Sequence, residues 1–156
     1  PILARLRDIT GECAQLFRRQ GDIRVCAAVA ERPSGLRDTI PIGSQLTMTA
    51  GSAAQVLLAW DEPDRVQRGL NHSAFSAVAL ATVRRRGWAQ SVAEREPGVA
   101  SVSAPVRSPS GKVLAAVSVS GPIERLTRQP GRLHAPAVMA AAERLSEVLR
   151  RTGTEG

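Results

Sequence analysis

The chain has 156 residues, 43% of them hydrophobic and 22% charged, a composition typical of one globular domain rather than of a disordered or fibrous chain. The sequence contains no run of about 18 apolar residues, the length that a membrane-spanning helix needs. The net charge of +7 is carried almost entirely by arginine, and two Phe, two Trp and no Tyr are too few for the stacking surface of a single-stranded nucleic-acid binder.

Arginine runs end several predicted elements, at 18–19, 84–86 and 150–151. Cations interact favourably with helix C-termini and with water as well as with a polyanion. These runs therefore indicate either solvated surface or a binding surface for a nucleic acid or another partner. The chain begins in what resembles the middle of a helix, without an initiator Met, so we expect a piece of a longer protein.

The first half of the chain predicts a helix, three strands and a helical segment. A Gly21-Asp22 turn between two stretches of period-two alternation indicates an antiparallel hairpin. The predicted elements are a helix at 2–9, strands at 12–18, 23–31 and 36–40, an irregular connection at 41–49, and helices at 50–60, 64–70 and 75–86.

The second half returns to strands and ends in a long helix. The predicted elements are strands at 88–91, 100–106 and 113–120, and a helix at 133–151. One face of that helix carries Leu133, Ala137, Ala141, Leu145 and Leu149, and Pro136 is expected to be tolerated near the first turn. The order predicts an α+β fold with a six-stranded antiparallel sheet, a helical insert and terminal helices.

The two cysteines are predicted to be buried free thiols. Pairing about the first hairpin turn places Cys13 opposite residue 30 and Cys26 opposite residue 17, which separates the sulfur atoms by about 13 Å. With His72 and His134 as the only histidines and no ligand spacing, we expect no metal site.

The 100–120 hairpin is expected to carry hydroxyl groups on one face. Folding it about the 108–111 turn pairs Ser101 with Ser120 and Ser103 with Ser118. The opposite face, predicted to pack on the core or the terminal helix, carries Val102, Val106, Val113, Val117 and Val119. The hydroxyl face is either the wet side of a half-exposed sheet or a small-ligand pocket under the helical insert.

A second feature favours the pocket. Small residues from Thr49 to Ala54 begin the insert's first helix, where backbone N–H groups and the helix dipole attract an anion. A catalytic interpretation has less support, because His72 follows Asn71 in a surface turn and His134 lies early in the last helix. The carboxylates are scattered as well: Glu94 and Glu96 are expected to make surface contacts. We therefore expect no enzymatic activity and no cofactor.

Four segments, taken in order, carry a resemblance to a known family. They are residues 6–12 (LRDITGE), 41–46 (PIGSQL), 96–101 (EPGVAS) and 115–122 (AAVSVSGP). In this order they resemble the C-terminal effector-binding domain of the IclR family of bacterial transcription regulators, and within it the actinobacterial NdgR/AreB type that regulates leucine and other amino-acid biosynthesis. The resemblance implies a GAF-like or profilin-like domain covering residues 1–156, a separate N-terminal winged helix-turn-helix domain, homodimers or tetramers on operator DNA, and a cytoplasmic location.

The resemblance also implies an effector site. It assigns backbone N–H groups to Ser52 and Ala53 at the helix start, and polar side chains to Ser91, Ser101, Ser118 and Ser120. The apolar walls match Leu36, Leu46 and Met48. Two positions depart from the family pattern: Ser91 stands where an Asp is common, and Gln55 where a Lys is common.

Two functions remain open at this point. The first is a sensor in which a small metabolite, such as an amino acid or a keto acid, binds between sheet and insert and alters operator binding through the DNA-binding domain. The second is an oligomerisation module with a vestigial pocket. We expect neither membrane binding nor specific DNA binding by these residues themselves.

Overall fold

The computed structural model describes residues 1–152 and confirms the predicted architecture, a six-stranded antiparallel sheet with an insert and terminal helices. The strands are β1 (Cys13–Gln20), β2 (Ile23–Ala30), β3 (Gln45–Thr47), β4 (Ala89–Val92), β5 (Val99–Arg107) and β6 (Val113–Pro122). The helices are α1 (Ile2–Thr10), α2 (Ser52–Ala59), α3 (Pro63–Leu70), α4 (Ala77–Arg86), α5 (Ile123–Leu126) and α6 (Pro130–Arg151).

The strands lie in the order β3-β2-β1-β6-β5-β4, so the two predicted hairpins meet where β1 pairs with β6. Glycine ends two helices as expected. Gly11 after α1 and Gly87 after α4 adopt φ values of 75° and 87°, the left-handed conformation in which a residue without Cβ is not strained. The hairpin and turn chemistry of the sequence therefore sets most of the sheet.

The third strand is not where the sequence predicts it. Residues 36–40 are irregular, and β3 instead comes from the predicted connection and pairs with residues 23–25. The chain after Pro41 occupies the edge of β2 instead, because Gly43 N–H donates to the Cys26 carbonyl oxygen and Cys26 N–H donates to that of Ser44. Residues 36–40 are left without a neighbouring strand, although Asp38 pairs with Arg95 and Ile40 is buried in the core.

Two apolar clusters fill the opposite faces of the sheet. On one face α1 and α6 cover the strands, with Leu6, Val102, Val117, Val119 and Val138 buried together. On the other face α2 and α4 pack against the strands around Phe17, Val56, Leu58 and Leu80. We call these the α6 face and the α2 face.

Val113 does not lie on the predicted face. The pairing of β5 with β6 follows the predicted register from Val99 to Val106 and then shifts, so that Arg107 pairs with Val113. This bulge turns Val113 to the α2 face, whereas the other four valines of the predicted set lie on the α6 face. One extra residue in β6 therefore moves the side chain of Val113 to the opposite face of the sheet.

The long helix also differs from its predicted form. It begins at Pro130, so Pro136 lies in the second turn rather than near the first, with its ring exposed. The helix packs through small residues that allow close approach to the sheet, namely Ala135, Val138, Ala141, Ala142 and Ser146. Of the predicted apolar stripe, only Ala141 is buried, and Leu133 is 53% exposed.

Both cysteines are buried free thiols, as predicted. Cys26 pairs with Phe17 in the hairpin register, and Cys13 lies at the far end of the same pair of strands. Burial raises the pKa of both thiols above the ordinary value, which disfavours the reactive thiolate.

Candidate functional site

The central hairpin places the predicted hydroxyl groups on the α2 face. The structure confirms the predicted register, with Ser101 opposite Ser120 and Ser103 opposite Ser118. Ser91 on β4 pairs with Ser101 and joins the same face. Because side chains alternate along a strand, neighbouring valines are directed to the α6 face while these hydroxyls are directed toward α2.

The start of α2 completes a chain of hydrogen-bonded hydroxyls. Ser52 Oγ lies 2.7 Å from both Ser101 Oγ and Ser103 Oγ. Ser91 Oγ lies 2.7 Å from Ser101 Oγ, and Ser103 Oγ bonds Ser118 Oγ. Five hydroxyls from α2, β4, β5 and β6 therefore form one network, which we call the serine cluster.

Ser120 is held by a residue that sequence reasoning missed. Gln15 Nε2 donates to Ser120 Oγ at 2.9 Å, and Gln15 is fully buried with its Oε1 unpaired. The signal was available in the alternation of β1, because Gln15 shares the parity of the buried Cys13 and Phe17. A glutamine at such a position indicates a polar site beneath it.

Glycine allows a close approach at the start of α2. Gly51 has φ 97°, and a Cβ added there would lie 3.2 Å from Arg24 Nη2. Arg24 Nη1 donates to the carbonyl oxygen of Ala50 at 2.9 Å. A larger residue at position 51 would be strained and would push the guanidinium away, so the sequence brings an arginine directly beside a helix N-terminus.

Glu94, predicted to make surface contacts, is half-buried and contacts the start of α2 instead. Its Oε1 accepts the Gly51 N–H at 3.0 Å, and Gln55 Nε2 donates to its two oxygens at 3.3 and 3.1 Å. Burial raises the pKa of Glu94, while the Gly51 and Gln55 hydrogen bonds and the charge of Arg24 oppose that rise. No local pattern reveals a contact across 43 residues.

Arg24 is a buried cation with an incomplete set of partners. It is 2% exposed, its guanidinium lies 5.0 Å from the centre of the Phe17 ring, and its Nε has no hydrogen-bond acceptor. Burial, with a smaller effect of Arg95, lowers its pKa to about 10 against the opposing effects of Asp38 and Glu94. Arg24 therefore keeps its charge at neutral pH and makes this end of the site positive.

The predicted apolar walls join the core of the α2 face only in part. Ala53 and Met48 are buried in the cluster on the α2 face, and Leu46 packs against that cluster. Leu36 is not brought to it, because its side chain is 69% exposed and only its carbonyl oxygen is engaged, by Arg32 and Arg125.

A groove of about 1600 Å³ lies at the other end of the sheet. Of the predicted site residues it includes Met48 alone. Its lining combines apolar side chains with cations such as Arg18, Arg65 and Arg68. The serine cluster and this groove are thus separate features.

Within residues 1–152, no group of three or more His, Cys, Asp or Glu residues is placed to hold a metal ion. None of the helices in that range is long and apolar enough to span a membrane.

The comparisons with known proteins identify the family. Residues 1–147 match the family model described as the C-terminal domain of the bacterial transcriptional regulator IclR. The chain belongs to the IclR family. Its fold also matches an IclR-family regulator from Rhodococcus sp. at 30% identity and a TM-score of 0.79, over 94% of this chain and 60% of that one.

Two curated relatives are named as regulators. The HTH-type transcriptional regulator BhcR of Paracoccus denitrificans is 31% identical over 94% of this chain and 57% of its own length. The Pca regulon regulatory protein of Pseudomonas putida is 28% identical over 92% of this chain and 54% of its own. The chain spans about half the length of these relatives, and neither is named as an NdgR/AreB-type regulator.

Proposed function

We propose that this IclR-type domain senses a small metabolite bound between the α2 start and the serine cluster, and that binding controls an operator-bound regulator. One observation carries the proposal. Polar groups from four elements converge at one end of a sheet face that is otherwise apolar, and burying them has no evident benefit for packing alone.

The chemistry of the site favours a carboxylate with a second polar group, as in a keto acid or an amino acid. The first N–H groups of a helix have no intrahelical acceptor, and those of Ser52 and Ala53 lie at a dipole end that attracts an anion. The hydroxyls of Ser101 and Ser118 can donate or accept, as a carbonyl or an ammonium group requires.

The wider role follows from family membership and from the resemblance to amino-acid regulators. We propose that homodimers or tetramers bind operator DNA through a winged helix-turn-helix domain in the cytoplasm and regulate genes of amino-acid biosynthesis, leucine among them. Ligand binding at the serine cluster must then favour one assembly over another, with a coupling of about 1 to 3 kcal/mol. An enzymatic role is not proposed, since the named relatives are transcriptional regulators.

A second candidate function is an oligomerisation module with a vestigial pocket. The observation that favours it is the closure of the serine cluster, whose hydroxyls bond one another with Ser52, Ser103 and Ser118 no more than 3% exposed. A ligand has to separate these hydroxyls in order to bind.

The test combines Ser101→Ala with Ser118→Ala and measures thermal midpoints and calorimetric titrations with a panel of amino and keto acids. A ligand at 100 times its Kd stabilises the folded chain by about 2.7 kcal/mol. We expect a hit with the unmodified chain and at least a tenfold loss of affinity in the double variant, because each lost partner costs about 1 kcal/mol or more.

The matched control removes two hydroxyls at exposed positions, Ser34→Ala with Ser110→Ala. Full affinity in this control places the loss at the cluster. If a panel compound binds equally well to the unmodified chain and to the Ser101→Ala, Ser118→Ala variant, the site assignment is wrong; if none binds at all, the oligomerisation module is the better account.

A further inference from the structure

A side chain of the protein itself already occupies the anion position at the start of α2. Glu94 Oε1 accepts the Gly51 N–H at 3.0 Å, which is the kind of contact that a ligand carboxylate makes at a helix N-terminus. The amide of Gln55 donates to both Glu94 oxygens, at 3.1 and 3.3 Å. The geometry is that of a bound carboxylate supplied in cis.

The backbone before Glu94 is held in an uncommon conformation. Ala93 has φ 61°, one of two positive values among non-glycine residues in the described range 1–152, and its N–H donates to the Val99 carbonyl oxygen at 2.9 Å. A left-handed alanine costs about 1 kcal/mol, so the β4–β5 loop bears a small strain that directs Glu94 toward α2.

Arg24 provides an independent indication of an anionic ligand at this point. Only 2% of Arg24 is exposed, and its guanidinium lies against Gly51. Its Nε lacks a hydrogen-bond acceptor. This buried cation has an unused donor next to helix N–H groups, and of the two carboxylates that act on it, Glu94 is half-buried and Asp38 is already ion-paired with Arg95. The site can therefore accept a negatively charged group.

We propose that Glu94 is an internal competitor: it fills the anion position in the unliganded domain, and a carboxylate effector binds by displacing it. This inference rests on the proposed sensor function and adds a mode of regulation to it. The effector carboxylate accepts the Gly51 N–H in place of Glu94 and is attracted by the positive charge of Arg24, while Glu94 moves toward solvent.

Displacement of Glu94 also has a path to the rest of the domain. The next residue, Arg95, forms an ion pair with the buried Asp38 in the connection between β2 and β3. Movement of the β4–β5 loop therefore acts on a second loop, and a ligand at α2 can change the surface that these loops present to a partner subunit.

The experiment compares the 156-residue chain with Glu94→Ala and Glu94→Gln, using pyruvate as the probe in calorimetric titrations. Removing the competitor should tighten pyruvate binding about 5- to 20-fold in Glu94→Ala. Glu94→Gln keeps an oxygen for Gly51 but loses the charge, so we expect a smaller gain of about threefold, and this near-isosteric variant guards against misfolding of the alanine form.

Glu96→Ala is the matched control. It removes one carboxylate from the same loop, and Glu96 contacts Arg95 rather than Gly51. We expect pyruvate affinity within twofold of the unmodified chain, which separates displacement of Glu94 from a general change in net charge.

Amide hydrogen exchange at Gly51 gives a readout independent of affinity. Its N–H should exchange faster in Glu94→Ala than in the unmodified chain, and pyruvate should restore the protection. Either of two results overturns the proposal that Glu94 is an internal competitor. One is unchanged exchange at Gly51, and the other is a pyruvate affinity in Glu94→Ala that is equal to or weaker than that of the unmodified chain.

Failure of the competitor and failure of the sensor give different results. If pyruvate binding is lost in Ser101→Ala with Ser118→Ala but is not tightened in Glu94→Ala, the sensor stands and the competitor is wrong. If no carboxylate of the panel binds the unmodified chain or Glu94→Ala, the competitor is overturned, while a neutral or cationic metabolite whose binding needs the same serines would preserve the sensor.

Discussion

The two faces of the sheet bury side chains equally well but for different chemistry. Val102 and Ser103 are adjacent on β5 and both are 0% exposed, yet the valine lies under α6 among aliphatic carbons and the serine lies under α2 among hydroxyls. Aliphatic burial on the α6 face stabilises the fold in proportion to area, whereas each hydroxyl must find a partner merely to avoid a cost.

This contrast assigns the faces different roles. Apolar burial on both faces stabilises the domain, and the α2 face also holds a polar network whose members could exchange their partners for those of a ligand. Ligand binding should therefore respond to substitutions in the serine cluster and not to substitutions on the α6 face, and the comparison can be tested by changing one face at a time.

The largest expected effect is on the α6 face. Leu6 of α1 is 2% exposed within the aliphatic cluster, so Leu6→Ala should lower the free energy of unfolding by about 3 kcal/mol through lost burial and a residual cavity. Urea denaturation measures the change. Leu133→Ala, at a 53% exposed position, is the control and should alter stability by less than about 0.5 kcal/mol.

The same Leu6→Ala variant tests the separation of roles. Where the chain remains folded, its affinity for any panel ligand should match that of the unmodified chain. A loss of affinity comparable to that of the serine variants would show that the two faces are coupled and would break the distinction.

Patterns close in sequence made much of this architecture predictable. Strong turn chemistry at 108–111 set the register that brought Ser101, Ser103, Ser118 and Ser120 to one face, because pairing about a short turn leaves few alternatives. Gly21-Asp22 did the same for the first hairpin. Helix ends at glycines were equally readable.

Features that depend on distant packing were not predictable. The bulge after Val106 turns Val113 over, and nothing local distinguishes it from a regular strand. Asp38 pairs with Arg95, which is 57 residues away in the sequence, and Glu94 accepts from Gly51, which is 43 residues away. Arg24 was not predictable either, because alternation would direct its apolar neighbours Ile23 and Val25 inward, whereas the structure buries Arg24 instead.

A smaller effect is expected from single hydroxyls on the α2 face. Ser103→Ala removes a buried group bonded to Ser52 and Ser118 and should cost about 1 to 2 kcal/mol, because its partners are left in an apolar surrounding. Urea denaturation of Ser103→Ala, Ser118→Ala and the double variant forms a cycle. Since the double variant removes a donor together with its acceptor, its cost should fall below the sum of the two single costs.

The control for that cycle is Ser34→Ala at an exposed position, which should be close to neutral. Strict additivity in the cycle would mean that Ser103 and Ser118 act independently, and the serine cluster would then not be a network.

The smallest effect concerns pH and a titratable ring on the α6 side. Burial lowers the pKa of His134 below its ordinary 6.5, against a weaker opposing effect of Glu12. The folded state therefore takes up a proton less readily than the unfolded chain, so the stabilising contribution of neutral His134 is complete above pH 6.5 and is lost as the pH falls through the folded value. Because the ring is half-exposed and screened by water, the loss should stay below about 1 kcal/mol.

Comparing the chain with His134→Gln isolates this contribution. Between pH 7.5 and 5.0, chosen to span the ordinary histidine range of about 6.5, the unmodified chain should lose more stability than the variant in urea denaturation. His72→Gln, in an exposed turn, controls for removal of an imidazole. A difference of the opposite sign would mean that the Glu12 carboxylate outweighs burial at His134, and the α6 side would then hold a functioning ion pair at its rim rather than a purely apolar contact.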